Sequence, residues 1–237
     1  MSRDSGLTAY DVAGRYDDDY FADLAGRYRN RTRFARRRIA NVRSLLPPLA
    51  GRRFIDLGTG MGTFAIEAAR EGAFATGIDL APAALAAAHS VATSERIAAS
   101  FVRADGASLP IRSGSVDVIA GADLTEHLDD VTFGRVLREV RRALKPGGIL
   151  VLYTPNRAHI FEWLRERHLM RDGDPSHIGL RTERELVDAV NAAGLRVQVV
   201  RSLPSHLPVW NILERAFSRW VPFMRRRIGL VAKEATT

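Results

Sequence analysis

The sequence predicts an α/β fold built on a parallel, doubly wound sheet, and three observations carry the prediction. From residue 53 onward, short apolar or β-branched runs alternate with helical segments; glycines stand at the joints; and 237 residues suffice for one large domain but would cramp two. Ahead of the alternation, apolar residues at 35, 39, 42, 46 and 49 share one stripe of a basic amphipathic helix spanning 28–49, which Pro47-Pro48 stops. Strands are expected over 53–57, 73–78, 99–103, 116–121 and 149–154. Helices fall between them over 63–71, 82–90 and 132–144, the second opened by Pro82, whose fixed φ suits a first turn. Farther on, Thr182 and Glu185 have the spacing of a capping box, Gly194 closes the helix they open, and 195–201 and 227–233 read as the last two strands.

Composition narrows the functional classes. With 46% hydrophobic and 26% charged residues the chain can fill a core, which excludes disorder, collagen and a coiled coil. No cysteine occurs, so a disulfide scaffold, a thiolate zinc site, an iron–sulfur cluster and a cysteine nucleophile are excluded; any metal must use oxygen and imidazole ligands. The first residues hold no apolar signal-like stretch, and no run approaches the roughly 20 apolar residues that span a bilayer, so a cytoplasmic protein is expected. The formal charge of +8 is uneven: residues 27–53 carry ten arginines and no acid, whereas residues 1–26 carry two arginines against six aspartates. Lysine occurs only at Lys145 and Lys233, which fits a base-composition bias better than a phosphate track. A solvated helix face is therefore the preferred reading of the charge, ahead of a nucleic-acid partner.

The most informative stretch is FIDLGTGMGTFAIEAA, residues 54–69. A strand runs into Asp56, then Gly58, Gly60 and Gly62 follow at every second position, and an apolar helix begins at once. Glycines let the backbone approach a ligand closely, and the free amides of a helix start suit a polar group. A dinucleotide fingerprint would place its third glycine where Thr63 stands. Some 20 residues on, a second strand ends in Asp79, placed to accept hydrogen bonds from both hydroxyls of a ribose.

These segments resemble the class I S-adenosylmethionine-dependent methyltransferases, of the small-molecule type that includes the ubiquinone-pathway O-methyltransferases, over residues 50–200 and on to the last strand. FIDLGTGMG is similar to the family's cofactor loop, GIDL to its ribose-binding segment, VRADGASLPIRSGSVDVI to its third-strand acid and fourth strand, and LKPGGILVLYTPN to its fifth. The resemblance implies a Rossmann-like, seven-stranded, mostly parallel sheet with helices on both faces and an antiparallel last strand. An N-terminal helical lid over residues 1–50 would precede a core over 51–237, with a helical insertion at about 205–224. It also implies that Asp56 is among the cofactor-binding residues, that Gly58 and Gly60 face the methionine end of the cofactor, Asp79 the ribose, Asp105 and Gly106 the adenine, and that Leu80 packs on the base.

A second constellation follows the fourth strand. AGADLTEHLDD sets Asp123, Glu126 and His127 at i, i+3 and i+4, on one face if the turn is helical, and His177 lies beyond the fifth strand. The carboxyl ends of the fourth and fifth strands border one crevice in such a sheet. The pattern resembles the metal-binding acid-x-x-Glu-His plus distant histidine of hydroxyl-directed methyltransferases, in which the first acid is usually glutamate. That resemblance implies metal ligands at Asp123, Glu126, His127 and His177, for magnesium, manganese, iron or zinc. Two other readings stand beside it: His127 as a metal-free general base, and a structural Glu-His whose acid serves a helix start. On the first two readings Glu126, His127 and His177 are the catalytic candidates.

Other residues carry less. His89 is expected at the surface, His159, His168 and His206 beside Trp163 or Trp210 as packing. Tyr10, Tyr16, Tyr20, Tyr28 and Phe21 suit a lid closing over the cofactor or plain packing. The aromatic segment 206–224 suits a pocket roof or dimer face in preference to an anionic membrane surface, giving a monomer or homodimer with weak membrane association as the lesser option. The expected activity is methyl transfer from S-adenosylmethionine to a small-molecule hydroxyl. Metal-free N- or C-methylation, nucleic-acid methylation and a cofactor-binding regulator without turnover are the alternatives.

Overall fold

Strand β1 (Arg53–Leu57) lies mid-sheet, and its neighbours explain why its last four residues are all buried, Asp56 among them: it pairs in parallel with β2 (Phe74–Asp79) on one side and β4 (Val116–Ala122) on the other. The computed structural model describes residues 18–159, 162, 164, 167, 169, 174–203 and 227–234. Among these, seven strands form one sheet in the order β3-β2-β1-β4-β5-β7-β6, with β3 at Ser100–Arg103, β5 at Leu144–Pro155, β6 at Leu195–Leu203 and β7 at Arg227–Glu234. All neighbours are parallel except β7, which runs antiparallel between β5 and β6. The chain winds outward from β1 to β3 and then returns to β4, so the carboxyl ends of β1 and β4 part and leave a crevice. The expected Rossmann-like sheet with its antiparallel last strand is what forms.

Alternate strand positions feed opposite layers. Ile55, Leu57, Ile119, Leu150 and Leu152 pack on Phe133, Val136, Leu137 and Val140 of α5 (Asp130–Ala143) and on Leu186 and Val190 of α6 (Glu183–Ala192). Phe54, Val118, Ala120, Val151 and Tyr153 pack on Val42, Leu45 and Leu49 and on Phe64 and Ala68. The basic helix therefore contributes to the core as well as to the crevice. Caps mark the ends: Thr182 accepts from the Glu185 amide at 3.3 Å, and Glu185 accepts in return from Thr182 at 2.8 Å, the expected capping box.

Several boundaries differ from expectation. In place of one helix from residue 28 there are α1 (Asp18–Arg29) and α2 (Arg33–Arg43), because Arg31 adopts φ +46° and the Thr32 side chain caps Ala35 of the second helix. Strand β5 begins at Leu144, so the Lys145-Pro-Gly-Gly segment belongs to it. Helix α3 (Thr63–Arg70) stands where expected, and α4 (Pro82–Ser94) opens at Pro82 as expected but runs four residues past 90. The proposed insertion at 205–224, with Tyr10, Tyr16, Trp163, His168, His206 and Trp210, lies outside the described residues. No helix among the described residues is long and apolar enough to cross a membrane.

Candidate functional site

The glycine-rich turn after β1 is held from behind. Buried Asp56 accepts from the Thr59 hydroxyl at 2.6 Å and from the Ala65 amide at 3.1 Å, which fastens the loop to the first turn of α3. Gly62, at φ +85°, leaves no room for a side chain: a Cβ would stand 2.9 Å from the Phe101 ring. Asp56 thus shapes the loop, while the other six expected cofactor contacts, Gly58, Gly60, Asp79, Leu80, Asp105 and Gly106, line a cavity of about 330 Å³.

Burial raises the Asp56 carboxyl from 3.8 to about 6 against the pull of its two hydrogen bonds. The folded protein holds this proton more tightly than the unfolded chain, so the group's contribution to stability is full below 3.8 and lost as pH rises through about 6. Asp56→Asn keeps an acceptor for Thr59 and Ala65 but cannot ionise. Urea unfolding at a series of pH values is expected to show the variant gaining on the wild type by on the order of 2 to 3 kcal/mol between acid and neutral pH; a constant difference would contradict this.

Asp79 faces the cavity with its carboxylate oriented by two backbone amides, Gly60 at 2.8 Å and Ala81 at 3.0 Å. Asp105 is similarly set by the Ala107 amide at 2.8 Å. Above them α1 contributes Tyr20, Phe21, Leu24 and Tyr28 to the lining. Phe21 packs on Ala81 and Ala84, and the Tyr28 hydroxyl and Arg31 both bond to Glu67, so α1 and the turn after it are fastened to α3 and α4. Arg31 reaches Glu67 at 2.9 Å.

At the other end of the cavity a 3-10 turn, Thr125–His127, follows β4. Its Glu126 is buried and accepts from Thr154 at 3.0 Å; burial, first, and the Asp123 charge, second, raise its carboxyl. His127 Nδ1 lies 3.2 Å from the Ser176 carbonyl, which can only accept, so Nδ1 carries the hydrogen. The His177 ring stands 5.1 Å from that of His127, and burial with the neighbouring His127 pushes it down to about 4, leaving a neutral imidazole at pH 7. One ligand atom from each of Glu126, His127 and His177 lies within 4.8 Å of the others.

Asp123, expected as the fourth ligand, is not in that group. It sits before the turn at φ +57°, and its carboxylate is clamped between Arg38 of α2, at 2.6 Å, and Arg227 of β7. The two guanidinium groups hold it down at about 2 against desolvation. Its charge is committed to joining three segments of the fold.

Several residues of the site gave no sign in the sequence. Buried Arg181 donates to the carbonyls of Thr125 at 2.7 Å and Leu128 at 2.9 Å, and to Asp130, binding the loop that carries His177 to the turn that carries Glu126 and His127. The Gly179 amide donates to the Glu126 carbonyl at 2.8 Å, and a Cβ there would fall 1.9 Å from the Leu128 carbonyl oxygen. His89 is exposed beside Phe101, and buried His159 lies outside the cavity lining.

Comparison with known proteins places this geometry. A family model described as a methyltransferase domain matches residues 28–200. A methyltransferase of Mycobacterium sp. strain JLS, described as uncharacterized, is 37% identical over 102 residues, 43% of this chain and 38% of the relative. A ubiquinone biosynthesis O-methyltransferase of Azorhizobium caulinodans is 32% identical over 112 residues, 47% of this chain and 44% of that protein. The chain thus matches less than half the length of these curated relatives. Among solved structures, phosphoethanolamine N-methyltransferase 2 of Haemonchus contortus, in complex with S-adenosyl-L-methionine, superposes with a TM-score of 0.71 at 18% identity, covering 97% of this chain and 60% of that one. At that identity the likeness concerns the fold.

Proposed function

Since this chain belongs to the family of methyltransferase domains, we propose that it transfers a methyl group from S-adenosylmethionine to a hydroxyl of a small molecule, with a divalent cation at Glu126, His127 and His177. The single observation that carries the reading is the meeting of those three side chains, in one cavity, with the glycine loop, Asp79 and Asp105. S-adenosylmethionine supplies a methyl on a sulfonium that leaves as a neutral thioether, so the protein's tasks are alignment and handling the acceptor's proton.

Asp79 suits the ribose, because each carboxylate oxygen is already fixed by one amide and retains a lone pair. Gly58 and Gly60 leave space for the amino-acid end, and Leu80, Asp105 and Gly106 for the base. Residues 1–50 serve as a lid through α1, and the fold from 51 onward as the transferase core.

The donor set fits a cation in kind: one carboxylate and two imidazoles, which favour manganese, iron or zinc over magnesium. A cation there supplies Lewis acidity that lowers the pKa of a neighbouring hydroxyl. His177 offers a neutral nitrogen, and Thr154 and Ser176 hold Glu126 and His127 in register. Four of the ten arginines in 27–53 are paired with acids of this chain, Arg27 with Asp23, Arg31 with Glu67, Arg38 with Asp123 and Arg43 with Glu71, which favours a small acceptor over a nucleic acid.

Turnover on a panel of hydroxylated acceptors, followed by mass spectrometry, tests the activity. Chelation is expected to lower turnover at least about tenfold and manganese to restore it. Turnover indifferent to both would assign His127 the role of metal-free base.

A further inference from the structure

Of the acids that line the main cavity, Asp79 and Asp105 suit the nucleoside, Asp123 is clamped by its arginines and Glu126 belongs to the group with the two histidines, which leaves Asp174. Its surroundings show a task. Residues 174–177 form one tight turn, closed by a 3.0 Å bond from the His177 amide to the Asp174 carbonyl, with Pro175 at the position where the fixed φ of proline suits such turns. Inside the turn, Asp174 Oδ1 accepts twice from Ser176, from its amide at 2.9 Å and from its hydroxyl at 2.6 Å. Oδ2 stands 4.0 Å from His177 Nε2, beyond hydrogen-bond reach, so the carboxylate acts on Ser176 and not directly on His177.

Ser176 is buried, and its carbonyl is where the turn meets the site. It accepts from the Ile178 amide at 2.9 Å and lies 3.2 Å from His127 Nδ1. The direction of that carbonyl follows from the Ser176 backbone, which the Asp174 carboxylate holds from one side. From the other side the Gly179 amide and buried Arg181 tie the chain to Glu126 and Thr125. One turn therefore carries His177 and also aims the acceptor that His127 uses. Which nitrogen of an imidazole bears the hydrogen is set by such a bond, and partners that orient a histidine govern its metal affinity by about 10- to 100-fold.

We infer that Asp174 is a positioning residue: through Ser176 it aims the carbonyl that fixes the orientation of the His127 ring and the place of its hydrogen. The effect on a bound cation rests on the methyl-transfer reading above; the effect on His127 rests on the turn alone.

The test compares, in the full chain, Asp174→Ala with Asp174→Asn, which keeps an oxygen for both Ser176 donors. Nitrogen-15 NMR at pH about 9, above the ordinary imidazole range, reads the His127 tautomer, with its signals assigned by their loss in His127→Gln. Wild type and Asp174→Asn should bear the hydrogen on Nδ1, whereas in Asp174→Ala it should move largely to Nε2. Calorimetry should show manganese binding weakened at least about tenfold by alanine and less than about threefold by asparagine, with S-adenosylhomocysteine affinity unchanged in both. Hydrogen on Nε2 in the wild type, a tautomer or a manganese affinity that survives alanine, an asparagine variant as impaired as alanine, or loss of S-adenosylhomocysteine binding in the alanine variant would each overturn the inference. The wild type separates the readings beneath it: failure to bind S-adenosylhomocysteine defeats methyl transfer, failure to bind manganese defeats the cation, and in either case the tautomer decides the role of Asp174.

Discussion

Asp79→Ala is expected to weaken S-adenosylhomocysteine binding at least about 100-fold, because two hydrogen bonds from a ribose diol to a charged acceptor are lost together. The carboxylate is partly buried, and desolvation lifts its pKa despite the amides of Ala81 and Gly60. Its ionised form is therefore costly to keep without a ligand, and a diol that donates to it recovers part of that cost. Asp79→Asn keeps the shape and one acceptor oxygen, so its loss should be intermediate. Calorimetry measures the ranking, and a melting curve separates loss of the site from loss of the fold. If alanine weakens binding less than about threefold, the ribose is not held here.

Asp123→Asn is expected to destabilise the protein by about 3 to 5 kcal/mol, since it strips the counter-ion from two largely buried guanidinium groups. Asparagine tolerates the φ of +57° at this position, so the loss reports charge rather than backbone strain. The pH dependence has a definite sign. The folded carboxyl lies at about 2, below its ordinary 3.8, so its contribution is present above 3.8 and fades as pH falls through about 2. Urea unfolding of wild type and variant should converge at low pH. A neutral-pH loss under about 1 kcal/mol would mean that the arginine pair behaves as a surface ion pair.

The sheet was legible because its strands alternate layers in a way the sequence shows directly. Phe54 and Ile55, or Val118 and Ile119, are adjacent in sequence and belong to opposite cores. The glycine turn and the Thr182 capping box are equally local, and local rules suffice for them. Asp56 was legible as an acid at a strand end, but not that it turns behind the loop toward Thr59 and Ala65. The spacing of Asp123, Glu126 and His127 suggested one helical face. The backbone instead enters a left-handed conformation at Asp123 and begins its 3-10 turn only at Thr125.

What claims Asp123 comes from Arg38 and Arg227, distant in the chain, and a one-dimensional pattern cannot see either. The same holds for Arg181. In sequence it is one more arginine among many; in the fold it is a buried clamp with bonds to Thr125, Leu128 and Asp130. His177 is legible from its place beyond the fifth strand and from the distant histidine of the resembled pattern, and the structure supplies the reason it meets His127: the Gly179 amide and Arg181 tie its loop to the turn.

The most direct measurement is a crystal structure of the chain soaked with S-adenosylhomocysteine and manganese, collected at the manganese edge. The account predicts adenosyl density with its ribose on Asp79 and its base beside Asp105, and an anomalous peak bounded by Glu126, His127 and His177 with Asp123 still on its two arginines. Density for the nucleoside elsewhere, or an empty crevice at saturating ligand, would contradict it.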